Sequence, residues 1–143
     1  MPRSYASGAR YGTSFNWYAA TAESGSYAQS TGKASDSVCP SGWSLPKDET
    51  GQKSWIDLFG TYALDESAEA SKRITKAPFN LIASGYYHFF LGTYNPIGQG
   101  AYWTSTTRTT TDARRAVFSV NTALHPSLYD SKPTGLAVRC ILD

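Results

Sequence analysis

Two cysteines, two histidines and one methionine are all that this sequence of 143 residues holds of the sulfur and imidazole side chains. Two cysteines cannot build a disulfide framework, and with no histidine beside them they make a poor zinc site. His88 and His125 have no i,i+4 spacing, so neither a metal nor a catalytic role is expected of them. His125 precedes Pro126 in a polar stretch and reads as an exposed contact residue. Charge of one sign is also scarce. A net charge of +2 is too small to imply a strongly electrostatic partner, so no nucleic acid and no anionic membrane is expected. The arginines do not interleave with aromatics as a single-strand binder needs. No run approaches the ~18 apolar residues of a membrane span, so no direct membrane insertion is expected. Met1 to Arg10 is polar and has no apolar leader segment. An exported chain would have lost its signal or would leave the cell by another route. Acidic residues are scattered, without a carboxylate pair spaced for acid–base work, and no glycine-rich phosphate loop precedes a helix. Lys132-Pro133-Thr134-Gly135 matches part of a sortase-type sorting signal, but the hydrophobic tail of such a signal does not follow.

What is present is aromatic. Ten tyrosines and four tryptophans bring the aromatic content to 14%. Tyr and Trp offer stiff, amphipathic contact area suited to recognition. The plainer alternative, packing in a β core, is expected for most of the tryptophans and some of the tyrosines. Hydrophobic residues make up 41%, enough for a packed core. The length fits one domain, read as a flexible lead-in over residues 1–10 and a folded unit over 11–143. Cys39 and Cys140 either pair or remain as two buried thiols. Pairing would close a loop of about 100 residues, worth about 4.7 kcal/mol of chain entropy, and would imply an oxidising compartment.

The elements point to α+β. Tyr11 to Ala20 alternates like a strand, with Phe15, Trp17 and Ala19 on one side. Val38 to Pro46 reads as a rigid extended segment placing Trp43 and Leu45 on the same side. A first helix is expected from Gln52 to Tyr62, capped near Asp48 or Thr50, with Trp55, Leu58, Phe59 and Tyr62 as an apolar stripe. A second is expected from Asp65 to Ile74, acidic early and basic late. After Pro78 come strand candidates at Phe79–Tyr87, Tyr102–Thr107, Arg114–Val120 and Gly135–Leu142, with long loops over 88–101 and 121–134. Trp17, Trp43, Leu45, Trp55, Leu58, Phe59, Phe118 and Val138 are the expected core.

The chemistry-bearing stretch lies late in the chain. From Thr104 to Thr111 every residue but Arg108 carries a hydroxyl. In the next strand Ala116, Phe118 and Val120 share one face, and Arg115, Val117 and Ser119 share the other, outward one. Residues 122–131 mix small, aromatic and charged groups in the manner of a paratope.

Several separate motifs carry a family likeness. Phe15-Asn16-Trp17-Tyr18-Ala19-Ala20-Thr21-Ala22, Cys39-Pro40-x-Gly42-Trp43-x-Leu45-Pro46, Ser84-Gly85-Tyr86-Tyr87, Tyr102-Trp103-Thr104-Ser105-Thr106 and Val138-Arg139-Cys140 occur in that order. Over roughly residues 11–143 the chain resembles the major paralogous domain first named from Fibrobacter. The resemblance implies a C-type-lectin-like fold, with two helices and a twisted, mostly antiparallel sheet, of the kind found in bacterial surface lipoproteins and adhesins. That domain is also a vehicle for diversity-generating retroelements, in which an adenine-directed reverse transcriptase rewrites codons near the 3′ end of the gene. By that resemblance the ligand-facing set is Arg108, Arg114, Arg115, Val117, Ser119, Thr122, Ala123, His125, Ser127, Leu128, Tyr129, Asp130 and Ser131, flanked by Tyr86, Tyr87 and His88. Cys39 is expected to bond Cys140. The calcium-binding signatures of sugar lectins, Glu-Pro-Asn or Gln-Pro-Asp with Trp-Asn-Asp, are missing, so calcium-dependent sugar binding is not expected. The formylglycine-generating oxidase of the same broad fold needs active-site cysteines, which a structural bridge would consume. The resemblance therefore implies a non-catalytic binder without metal or cofactor. Its expected ligand is a protein or other macromolecule at an extracellular, cell-surface or virion surface. The alternative is a structural module of a cell-surface or phage-tail protein with no ligand of its own.

Overall fold

A computed structural model describes residues 4–6, 13–26, 29–49, 53–61, 67–94, 98–119 and 124–143. It is a mixed α+β structure with few helices and small antiparallel sheets. In chain order the elements are β1 (Ser4–Ala6), β2 (Thr13–Phe15), α1 (Trp17–Ala20), β3 (Trp43–Ser44), α2 (Trp55–Thr61), α3 (Ala68–Ile74), β4 (Tyr87–His88), β5 (Thr93–Tyr94), β6 (Gln99–Thr107), β7 (Asp112–Ser119), β8 (His125–Ser131) and β9 (Ile141–Leu142). Strands β6, β7 and β8 form the three-stranded sheet. The pairs β1–β2, β3–β9 and β4–β5 form separate ribbons.

The central sheet is covered on both faces. Tyr102, Ala116 and Phe118 point toward the helices and pack with Trp55, Phe59, Ile74, Phe79 and Leu81. Ala101, Trp103 and Ala113 point the other way and pack with Trp17, Tyr18, Leu45 and Leu136. Each buried indole on this second side donates its N–H to a carbonyl, Trp17 to Thr104 (2.9 Å) and Trp103 to Phe15 (2.7 Å). Pairing the donor avoids the cost of an orphaned polar group in the interior. Tyr102 ties the helix side together. Its hydroxyl donates to the Ile82 carbonyl and accepts the Ile82 N–H, both at 2.9 Å, and burial pushes its phenol above the ordinary value.

Several expectations change. The alternation over 11–20 stops at Phe15, because the Asn16 side chain accepts the Ala19 N–H (2.9 Å) and caps α1. Trp17 thereby turns into the core on a helix. The first helix begins at Trp55, later than Gln52. Ser54 Oγ accepts the Asp57 N–H (3.0 Å) where Asp48 or Thr50 was expected to cap; Thr50, Gln52 and Tyr62 lie outside the described residues. The second helix begins after its cap Ser67, whose Oγ accepts the Ala70 N–H (3.1 Å); Asp65 and Glu66 lie outside the described residues. Of Phe79–Tyr87 only Tyr87 joins a strand, since Leu81 N–H bonds Ile74 and Gly85 N–H bonds Gln99 instead of a continuous ladder. Of Gly135–Leu142 only Ile141–Leu142 is a strand; Gly135, Leu136 and Ala137 make isolated bridges.

Trp43 is the clearest miss in the core. It is 44% exposed, whereas Leu45 is 2% exposed. The strand ends at Ser44, so the two-residue alternation does not reach Leu45. Leu58 and Val138 pack against the core only partly buried, and the remaining core expectations are buried. Cys39 and Cys140 are bonded, so there are no free cysteines among the described residues. Within the expected lead-in, Ser4–Ala6 pairs with Thr13–Phe15.

Candidate ligand-binding face

Within the stretch read as a mixed loop over 121–134, His125–Ser131 form strand β8, and 121–123 lie outside the described residues. Strand β8 pairs with β7 in the register Arg115↔Leu128, Arg114↔Tyr129 and Ala113↔Asp130, with an irregularity before Val117↔His125. Local composition hid it, because a strand containing Pro126, Ser127 and Asp130 has little intrinsic β preference and forms through its partner. Pro126 is accommodated on the outer strand of the sheet, where a missing N–H costs least. The expected loop over 88–101 contains the β4–β5 ribbon and the start of β6.

Register divides the expected ligand set between two faces, because paired residues project to the same side. Arg115, Val117, Leu128, His125 and Asp130 lie on the side of Trp103. Arg114 and Tyr129 lie on the side of Phe118. Ser127 falls in the irregularity between Leu128 and His125. Ser119 closes β7 opposite Gln99, and Ser131 closes β8 opposite Asp112. Thr122 and Ala123 lie outside the described residues. Arg108 and Tyr129 are exposed, and the other described members are half-buried.

Each arginine of the set meets a carboxylate. Arg108 Nη1 lies 3.7 Å from Asp112 Oδ2, Arg114 Nε 3.2 Å from Asp48 Oδ2 and Arg115 Nη2 3.4 Å from Asp130 Oδ2. The Arg108 guanidinium also stacks 3.5 Å from the centre of the Tyr129 ring. Arg115 is the least accessible, with 12% of its side chain exposed against 14% for Asp130. It donates from Nε to the Tyr129 carbonyl (3.3 Å) and sits 5.3 Å from the Tyr86 ring. Tyr87 next in sequence exchanges both backbone hydrogen bonds with Gly135, each 2.9 Å. The His88 ring lies 6.4 Å from that of Phe90.

Arg115 therefore belongs to the scaffold more than to an open face. Arg115→Ala is expected to lower stability by about 2–3 kcal/mol, since the poorly solvated Asp130 loses its cation and keeps only the neutral donors of Ser131 and Thr134. Tyr129→Ala is expected to cost under about 1 kcal/mol, as its ring is half exposed. Urea unfolding of the two variants checks the contrast, and equal losses would show that burial does not separate them.

The chemistry on offer is hydrogen bonding and aromatic stacking. Among the described residues no three His, Cys, Asp or Glu side chains gather as a metal site would need. Sequence reasoning missed an exposed apolar pair, Phe90 at 73% and Leu91 at 66%, in the turn between β4 and β5. Their signal was an apolar triplet, Phe89-Phe90-Leu91, running into Gly92. Compared with protein-family models, curated proteins and solved structures, the chain matches none.

Proposed function

We propose that this chain is a non-catalytic recognition domain on a C-type-lectin-like scaffold, with a ligand-facing surface built on β7, β8 and the Tyr86–His88 segment. The observation that carries the proposal is the division of labour within single strands. Along β7, Ala113, Ala116 and Phe118 are buried, while Arg114, Val117 and Ser119 keep partial exposure, Arg114 opposite the half-exposed Tyr129 of β8. Residues of the second kind can vary in chemistry while the first kind hold the sheet. The ligand is a protein or other macromolecule, since the face offers spread-out contacts and no deep cleft is needed for them. The disulfide is compatible with an extracellular location. The likeness to the Fibrobacter-type domain adds that the face is one selected variant of a surface diversified by a retroelement.

Pairing of all three arginines of the expected ligand set favours a second reading, a plain structural module whose charges serve the fold. Sequencing the 3′ end of the gene and its neighbourhood across one population separates the two. Substitutions confined to adenine positions in codons 108–131, with a near-identical template repeat and an adjacent reverse transcriptase, are expected for the diversified binder. Evenly spread substitutions and no repeat would sink it.

A further inference from the structure

The β4–β5 ribbon ends in an apolar knob that the recognition face does not use. Phe89, Phe90 and Leu91 are 39%, 73% and 66% exposed. Phe90 contacts both aromatic neighbours, with ring centres 5.4 Å from Phe89 and 6.4 Å from His88. Gly92 supplies the positive φ (61°) that closes the turn, and its N–H bonds the His88 carbonyl (3.0 Å). The knob stands on a fixed base. Tyr87 is bonded to Gly135 on both sides of its peptide, and Tyr94 Oη lies 2.6 Å from Ser14 Oγ. Behind the knob, Tyr87 and Tyr94 face one another across the ribbon, ring centres 6.5 Å apart.

We propose that this knob is a peripheral anchor that seats in the interfacial region of an electrically neutral lipid bilayer. Charge selects the occupant. From Ala77 to Thr107 no residue carries a formal charge, and Arg108, Arg114 and Arg115 are each opposed by a carboxylate. The segment that carries the knob thus brings no charge of its own to attract anionic lipid or a charged protein rim. Area points the same way. Three such side chains present roughly 300 Å², well below the about 800 Å² per partner of a stable protein interface. A fluid interface needs no matching cavity for a convex tip. The layering fits it as well, with Phe and Leu outermost and two tyrosines one step behind, where amphipathic rings sit at headgroup depth. The contact is superficial. No helix among the described residues is long and apolar enough to cross a membrane.

Co-sedimentation with phosphatidylcholine vesicles at millimolar lipid tests this. The wild-type chain is expected to partition onto the vesicles to the same extent at low and high salt. Phe90→Ser is expected to weaken partitioning roughly tenfold, and Phe89→Ser/Phe90→Ser/Leu91→Ser to abolish it. Leu142→Ser, at an exposed apolar residue on β9, is expected to leave it unchanged. Circular dichroism verifies that each variant is folded. A wild-type chain that stays in the supernatant would overturn the anchor and leave the knob to a pocket on a protein. Equal partitioning of the triple variant would overturn it too, as would binding that requires phosphatidylserine and fades with salt.

Discussion

A chain carrying Cys39→Ser and Cys140→Ser is expected to lose about 4–5 kcal/mol of stability. The bond joins residues 101 apart in sequence, so it removes a large loop-closure entropy from the unfolded chain. The contacts around it are too slight to replace it. Strands β3 and β9 pair over only two residues, Trp43↔Leu142 and Ser44↔Ile141. Around them are the Asp143 N–H to Gly42 carbonyl bond (2.8 Å), the Ser44 hydroxyl on Asp143 (2.7 Å) and the exposed Lys53–Asp143 pair (3.3 Å). A two-residue ribbon with surface ion pairing is marginal by itself. Without the bridge β9 should detach first. The deficit amounts to a fall in melting temperature of roughly 15 °C. Guanidinium unfolding of the double variant, and of the native chain with and without reductant, measures it. A loss below about 1 kcal/mol would mean that the strand contacts and not the bridge hold the C-terminal segment.

How legible this was depended on how local each interaction is. The stripe Trp55, Leu58 and Phe59 announces a helix by itself, because its burial follows from 3.6-residue spacing. Likewise Phe118 and Ala116 could be assigned to the core by alternation within one strand. What failed was decided across distance. Strand β8 exists because β7 offers it a partner, and nothing between Asn121 and Pro133 says so alone. Trp43 looked like core because tryptophan usually is. Its exposed place is on a two-residue strand that ends at Ser44 and pairs only with β9, a partner held at the other end of the chain. Arg115 was read as facing outward by correct parity. The error lay in assuming that one face of the sheet meets water, whereas Trp17, Leu136 and Tyr86 cover much of it. The candidate face was thus legible as a list of positions, while the split between the two sides of the sheet was not.

The residue least legible of all is Lys132, which in sequence belonged only to a fragment of a sorting signal. It is fully buried. Its ammonium donates to the carbonyls of Gln29 (2.8 Å) and Ser26 (3.2 Å) and lies 4.8 Å from the centre of the Trp17 ring. Its own carbonyl accepts the Trp17 N–H (2.9 Å), and its N–H reaches the Thr111 carbonyl (2.9 Å). One side chain thus ties the carbonyls of Ser26 and Gln29 to the indole at the centre of the second core cluster. Lys132→Met keeps the volume and removes the charge and the donors. It is expected to cost about 3–4 kcal/mol, because two carbonyls lose a charge-assisted partner. Lys132→Ala should cost more, by adding a cavity against Trp17. Alkali gives an independent reading. Burial pushes the ammonium below the ordinary lysine value of 10.5, against the opposing pull of Asp112. The unfolded chain therefore binds more protons than the folded one between the lowered value and 10.5, and this contribution to stability rises as pH climbs through that window. The neutral amine still has hydrogens for both carbonyls, so the tie persists while the cost of burying its charge disappears. The stability gap between the native chain and Lys132→Met should accordingly widen toward pH 10.5, as read by urea titrations at stepped alkaline pH. A gap that narrows there would mean that the positive charge over Trp17, and not the pair of hydrogen bonds, is what makes the tie.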